Sequence, residues 1–169
     1  EAILTEVGAF EIHAILPSST GPGDYLLEVR NEAGKSKSIA IRVSQQNPGI
    51  VTTTNINGGL ASAEVLGEVP ARLRMTAPAH PGATLSILAA GFGPIAASDH
   101  EAPEEQALLE NAELVIAGRA LPVRYAGRYP GKAGFDRLLV DLPDDEQLAL
   151  GCYVPVSLRT GDLVSNAAF

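Results

Sequence analysis

Apolar and polar residues alternate in short runs along this chain, and glycine or proline breaks almost every run. Phe10, Ile12, Ala14 and Leu16 alternate with Glu11, His13 and Ile15; Tyr25, Leu27 and Val29 with Leu26, Glu28 and Arg30; Ile39, Ile41 and Val43 with Ala40 and Arg42. A period of two belongs to extended backbone, whose successive side chains leave by opposite faces. The intervening Pro17-Ser18-Ser19-Thr20-Gly21-Pro22-Gly23 and Asn31-Glu32-Ala33-Gly34-Lys35 are rich in turn formers. The pattern predicts an all-β fold that opens with three antiparallel strands.

The polar stretch Ser44-Gln45-Gln46-Asn47-Pro48-Gly49 then reads as a linker or crossover, and it places a module boundary between residues 1–46 and 47–169. Beyond it, strands are expected at Ile50 to Thr53, Leu60 to Leu66, Leu73 to Thr76, Thr84 to Ala90, Glu113 to Ala117, Leu121 to Tyr125, Arg137 to Leu142, Tyr153 to Thr160 and Leu163 to Ala168. Val123, Val140, Leu142, Val154, Val156 and Leu158 are the expected core. Only Pro103 to Asn111 reads as helix: proline in the first turn, Glu104 and Glu105 where the dipole favours acids, Leu108 and Leu109 on one side.

The chain also echoes itself. Phe10-Glu11, Leu16-Pro17, Gly23-x-Tyr25, Gly34 and Ser38 are followed in the same order by Phe135-Asp136, Leu142-Pro143, Gly151-x-Tyr153, Gly161 and Ser165. Internal repeats decide architecture. This one makes residues 1–46 the back half of a module whose front half is absent, and 47–169 a whole module. Three strands with one uncovered face are marginal in water. Phe10, Ile12, Leu16, Tyr25, Leu27, Ile39 and Ile41 are therefore expected either to dock on the second module or to drive self-association through residues 1–46.

Composition narrows the chemistry. Among 169 residues, 46% are hydrophobic and 19% charged, enough to bury a core. Twelve Lys and Arg against 20 Asp and Glu leave a formal charge of −8, which disfavours unspecific binding to nucleic acid or anionic lipid. No apolar run has the length of a membrane-spanning helix, so no membrane insertion is expected. Glu1 to Phe10 lack the basic start and apolar stretch of a signal peptide, which puts any export signal upstream. The single cysteine, Cys152, has no intrachain disulfide partner.

A resemblance sharpens the expectation. Asn47-Pro48-Gly49-Ile50-Val51-Thr52, Pro78-Ala79-His80-Pro81-Gly82, Ala90-Gly91-Phe92-Gly93-Pro94, Tyr125-Ala126-Gly127, Pro130-Gly131, Gly151, Pro155-Val156, Gly161 and Ser165-Asn166 occur in that order. In this the chain resembles the uncharacterised C-terminal domain family common in large secreted or surface proteins of acidobacteria, over roughly residues 47–169. The resemblance implies an immunoglobulin-like β-sandwich, often preceded by another such module, and no established activity or catalytic residue. The chain departs from the family at Asp136 and Leu139, where an aromatic residue and an Asn are usual.

No residue pattern calls for catalysis, and no catalytic, cofactor-binding or metal residue is assigned. Asp99-His100-Glu101 with Glu104 and Glu105 is the densest group of potential ligands, but its spacing fits neither a calcium loop nor a helix-borne zinc pair, and a solvated loop is expected. His13 and His80 read as an exposed strand residue and a loop residue. Cys152, with no cationic neighbour, reads as a buried or half-buried packing thiol. Asp144-Asp145-Glu146 reads as a solvated turn rather than a glycosidase carboxylate pair. Gly91-Phe92-Gly93-Pro94 lacks the third glycine and helix of a dinucleotide site, so a bend after the preceding strand is expected. Tyr125, Tyr129 and Phe92 could share a binding face, against a core or corner role for Tyr125.

The reading is a non-enzymatic extracellular or cell-surface module of a larger exported bacterial protein. It has no cofactor, and its partners are other domains of the parent protein. The alternative is a carbohydrate-binding accessory module, which the scarcity of aromatic residues disfavours.

Overall fold

The computed structural model describes residues 1–54, 58–67, 69–145 and 151–169. Among them the chain is all-β, with only antiparallel pairings. No helix of the described residues is long and apolar enough to cross a membrane. Residues 1–43 form β1 (Ile3–Val7), β2 (Ile12–Ile15), β3 (Gly23–Leu27), β4 (Arg30–Asn31), β5 (Gly34–Lys35) and β6 (Ile39–Val43), paired as β1 with β2, β3 with β6 and β4 with β5. These ladders close among themselves. β1 was not expected; a register shift between Leu4 and Glu6 breaks its alternation.

The remaining strands are β7 (Gly49–Ile50), β8 (Ala63–Leu66), β9 (Ala71–Arg72), β10 (Thr84–Ala90), β11 (Glu113–Ile116), β12 (Arg119–Pro122), β13 (Tyr125–Arg128), β14 (Asp136–Asp141), β15 (Val156–Thr160) and β16 (Leu163–Val164). One sheet runs β13-β14-β10-β8-β9, with β7 beside the end of β10; the other runs β12-β11-β15-β16. A single buried cluster draws on both. Leu85, Ile87 and Ala89 of β10 and Leu138 and Val140 of β14 meet Leu114, Ile116, Leu121 and Leu158 from the second sheet. Of the expected core, Val140, Leu142 and Leu158 are buried, and Val123, Val154 and Val156 pack half-buried against it.

β10 runs over Thr84–Ala90 as its alternation predicts, but other boundaries move. The expected Leu121 to Tyr125 strand divides. Ala117 and Gly118, with φ of 47° and 87°, make the tight turn that closes β11 on β12, a conformation whose backbone twist suits a two-residue hairpin. The chain then changes sheets at a corner: the Val123 amide donates to Ala112 O and the next amide, Arg124, to Leu139 O. The final expected strands shorten to β15 and β16, with Ala168 bridging back to Val156.

The predicted helix at Pro103 to Asn111 is not formed. The segment lies extended along β13 instead, where Leu108 N–H donates to Ala126 O and Arg128 N–H to Gln106 O. Two short turns of helix have little stability of their own. Pairing the outer edge of β13 satisfies backbone groups that would otherwise be orphaned. Gly127 makes this approach possible, because a Cβ there would collide with Gln106 O.

The repeat is visible in hydrogen bonds. Ser36 N–H donates to Val29 O, Val29 N–H to Ser36 Oγ, and Ser36 Oγ–H to Lys37 O. Ser165 makes the same three bonds with Leu158 and Asn166. The shared offset is therefore 129 residues, which pairs Ser165 with Ser36 rather than with Ser38. The hairpin Arg30↔Lys35 corresponds to Arg159↔Val164, and Leu27↔Ile39 to Val156↔Ala168. Gly23 and Gly151, 128 residues apart and so one residue out of that register, share φ values of 157° and 152°. The β1-β2 hairpin likewise takes the place of β13-β14, where Leu16-Pro17 and Leu142-Pro143 set an offset of 126 residues that matches Ile12 with Leu138 and Ala14 with Val140.

Burial does not repeat. Leu138, Val140 and Leu158 are fully buried, whereas their counterparts Ile12 and Val29 are 44% and 46% exposed and Ala14 also faces solvent. Burying a Leu-sized side chain is worth roughly 1.5–3 kcal/mol, so the first 43 residues lack most of the stabilisation their counterparts enjoy.

Candidate functional site

A cleft of about 380 Å³ lies between the first 43 residues and the loops of the second unit. Ile15, Leu16, Ile41 and Val43 form one wall, Pro94, Ile95 and Pro103 the other, and Arg128 lines its inner end. Alternation turns Arg128 and Asp136 inward at the facing ends of β13 and β14, where they are direct cross-strand partners. Arg128 Nη1 donates to Asp136 Oδ1 at 2.6 Å and Nη2 to Gly93 O at 2.6 Å, while Phe92 N–H donates to Asp136 Oδ2 at 2.9 Å. The pair thus holds the Gly91-Phe92-Gly93 bend against the sheet and seats Phe92 in the core.

Asp136 has no exposed surface. Burial pushes its carboxyl above the usual carboxylate range, against the pull of the Phe92 and Gly91 amides and the Arg128 guanidinium. Arg128 Nε is buried without a protein partner. The two Nη groups already bind protein acceptors, so the chemistry of the pair is structural: it positions the bend. The sequence marks out Asp136 but not its partner, since only the β13-β14 register brings Arg128 opposite. An Arg and an Asp at the facing ends of adjacent alternating runs was the available signal.

A polar clasp closes one side of the cleft. Asp99 accepts from Ser18 N–H at 2.7 Å and Ser18 Oγ–H at 2.8 Å, and Ser18 Oγ accepts from Ile95 N–H at 3.0 Å. Asp99 is thus used by Ser18, while His100, Glu101, Glu104 and Glu105 are exposed and Glu105 accepts from Arg137. Among the described residues, no three His, Cys, Asp or Glu side chains form a group that could hold a metal ion. A second junction lies at Asn47, whose N–H donates to Gly91 O; a Cβ on Gly91, at φ 85°, would collide with Asn47 O.

The other expected residues scatter. His13 lies on β2, 3.4 Å from Glu11, and His80 contacts Pro81 O in a loop; both are exposed. Cys152 is exposed, contrary to the expected packing thiol. The reason is that residues 151–153 bend outside any strand and β15 begins only at Val156. Asp145 binds Arg119 with two hydrogen bonds of 2.8 and 2.9 Å, and Glu146 lies outside the described residues.

Phe92, fully buried, shares no surface with Tyr125 and Tyr129. The Tyr125 hydroxyl donates to Arg128 O at 2.7 Å and accepts from Gln106 N–H, fixing a corner. Arg137 sits 5.5 Å from the Tyr125 ring and 5.2 Å from that of Tyr129, where Lys132 adds a second cation at 4.2 Å. Tyr129 and Lys132 border a shallow polar pocket of about 250 Å³ with Glu64, Arg72 and Ser86. No protein-family model, curated protein or solved structure matches this chain.

Proposed function

We propose that the chain is a non-catalytic structural or protein-interaction part of a larger exported protein, built from immunoglobulin-like sandwich modules in series. The carrying observation is the repeated serine clasp: Ser36 and Ser165 make the same three hydrogen bonds 129 residues apart. Consecutive units of one design are what a spacer or display array consists of. Two antiparallel sheets around one core support the sandwich reading of residues 47–169. The Ser18–Asp99 clasp and the Asn47–Gly91 junction support a fixed spacing between units. Export and surface display rest on the family resemblance of that same stretch.

The carbohydrate-binding alternative draws less support. Sugar platforms need a free aromatic face, whereas Tyr125 and Tyr129 carry Arg137 and Lys132 over their rings.

Solution X-ray scattering on the full chain tests the array reading. The unaltered protein should give one well-defined separation between units, and Asp99→Ala should broaden it while the melting of residues 47–169 stays unchanged. A separation already broad in the unaltered chain would sink the spacer role, and a specific hit on a glycan array would favour the alternative.

A further inference from the structure

We infer that the apolar face of residues 1–43 is the receiving half of a second unit, and that its occupant is a front half built like residues 49–122, lying ahead of Ile3 in the same polypeptide. The inference deepens the array reading and rests on it.

The argument is positional. In the second unit, β14 has β13 on one edge and β10 on the other, and β15 has β16 on one edge and β11 on the other. The corresponding β2 has only β1, and β4, the counterpart of β15 at the 129-residue offset, has only β5. Both lack a strand on the same side: the one that β10 and β11 fill in the second unit. The uncovered side chains agree. Ile12 corresponds to Leu138, which packs with Ile87 and Leu85 of β10 in the core. Val29 corresponds to Leu158, which lies opposite Leu114 of β11. Ile39, 63% exposed, corresponds to Ala168, which is 3% exposed.

Ile12, Val29 and Ile39 are thus open where their counterparts Leu138, Leu158 and Ala168 are buried. Chain direction fits as well. In the second unit β12 delivers the chain through Val123 and Arg124 to β13, so an equivalent front half would arrive at β1. An open edge beside an exposed apolar face is a template for such a strand. The required occupant therefore has two extended segments with inward Leu, Ile or Val at alternate positions, one antiparallel to Ile12–Ile15 and one antiparallel to Leu27–Val29.

The test compares the 169-residue chain with the same chain carrying a copy of its own residues 47–122 joined ahead of Glu1. The readout is relaxation of methyl signals by a soluble paramagnetic probe. In the chain alone, Ile12, Leu27 and Val29 should relax strongly at every concentration. In the joined protein they should lose that relaxation and match Leu138 and Leu158. Ile87→Asp with Leu114→Asp in the added copy should restore exposure.

A solubilised peptide of residues 83–91, titrated into the unaltered chain, supplies a measurement independent of whether the joined protein folds; it should shift Ile12 to Leu16 and leave Tyr125 to Arg128 unmoved. Methyls shielded in the chain alone only at high concentration would give the face to a second copy and overturn the inference. So would shielding at all concentrations, shielding that survives both aspartates, or no response to either the joined segment or the peptide. None of these outcomes alters the scattering result, so the array reading stands or falls separately.

Discussion

Asp136, without exposed surface, faces Arg128 across the β13-β14 ladder and takes a 2.6 Å hydrogen bond from its Nη1. Removing one partner of such a pair strands a buried charge. Arg128→Ala should therefore cost about 3–5 kcal/mol in denaturant unfolding. The double substitution Arg128→Met with Asp136→Leu should recover a large part of that loss. A double variant as unstable as the single one would mean that the pair does more than position the bend.

The same carboxyl sets a pH dependence. Its folded-state pKa lies above the unfolded value, with burial as the first cause. Between those two values the folded state holds more protons than the unfolded state, so this group's contribution to stability falls as pH rises through the window and is largest below it. The stability of the unaltered protein relative to Asp136→Asn should therefore decrease from the unfolded carboxylate pKa upward. Matched melting curves across that range check it, and a relative stability that increases with pH would reverse the assignment.

Equivalent places in the repeat should respond unequally to truncation. Leu138→Ala and Leu158→Ala, both at 0% exposure, should cost about 2–5 kcal/mol. Ile12→Ala, at 44% exposure, should change the chain's stability by no more than about 0.5 kcal/mol. Chemical denaturation of the three variants distinguishes a covered face from an open one.

Gly127 is held by a backbone approach rather than by its own torsion. Gly127→Ala should expel the Gln106-Ala107-Leu108 segment from the edge of β13, since the added carbon meets Gln106 O and the Ala107 backbone. Hydrogen exchange at Leu108 and Arg128 amides should accelerate together, while Gly67→Ala, with open space around it and no left-handed torsion, should leave both amides unchanged.

Cys152 should react with a thiol reagent in the native protein as fast as in denaturant, because it is exposed. Slow native labelling that speeds up on unfolding would return it to the packed interior.

The strand pattern was legible in the chain because alternation is a local property. Thr84 to Ala90 carries its inward Leu85, Ile87 and Ala89 in its own order, whatever it packs against. The repeat was legible for a related reason: Gly-x-Tyr and the turn serine act through neighbours a few residues away, although loop-length differences hid the true register of Ser36 with Ser165. What the chain could not display are relations that exist only once sheets pair. Pro103 to Asn111 has local features of a helix, but the unsatisfied edge of β13 decides its conformation. Arg128 meets Asp136 because of hairpin register, and Ser18 meets Asp99 across a cleft. Ile12 and Leu138 have like sequence surroundings and opposite burial. Burial depends on a second layer being present, and that is a property of packing, which no single strand encodes.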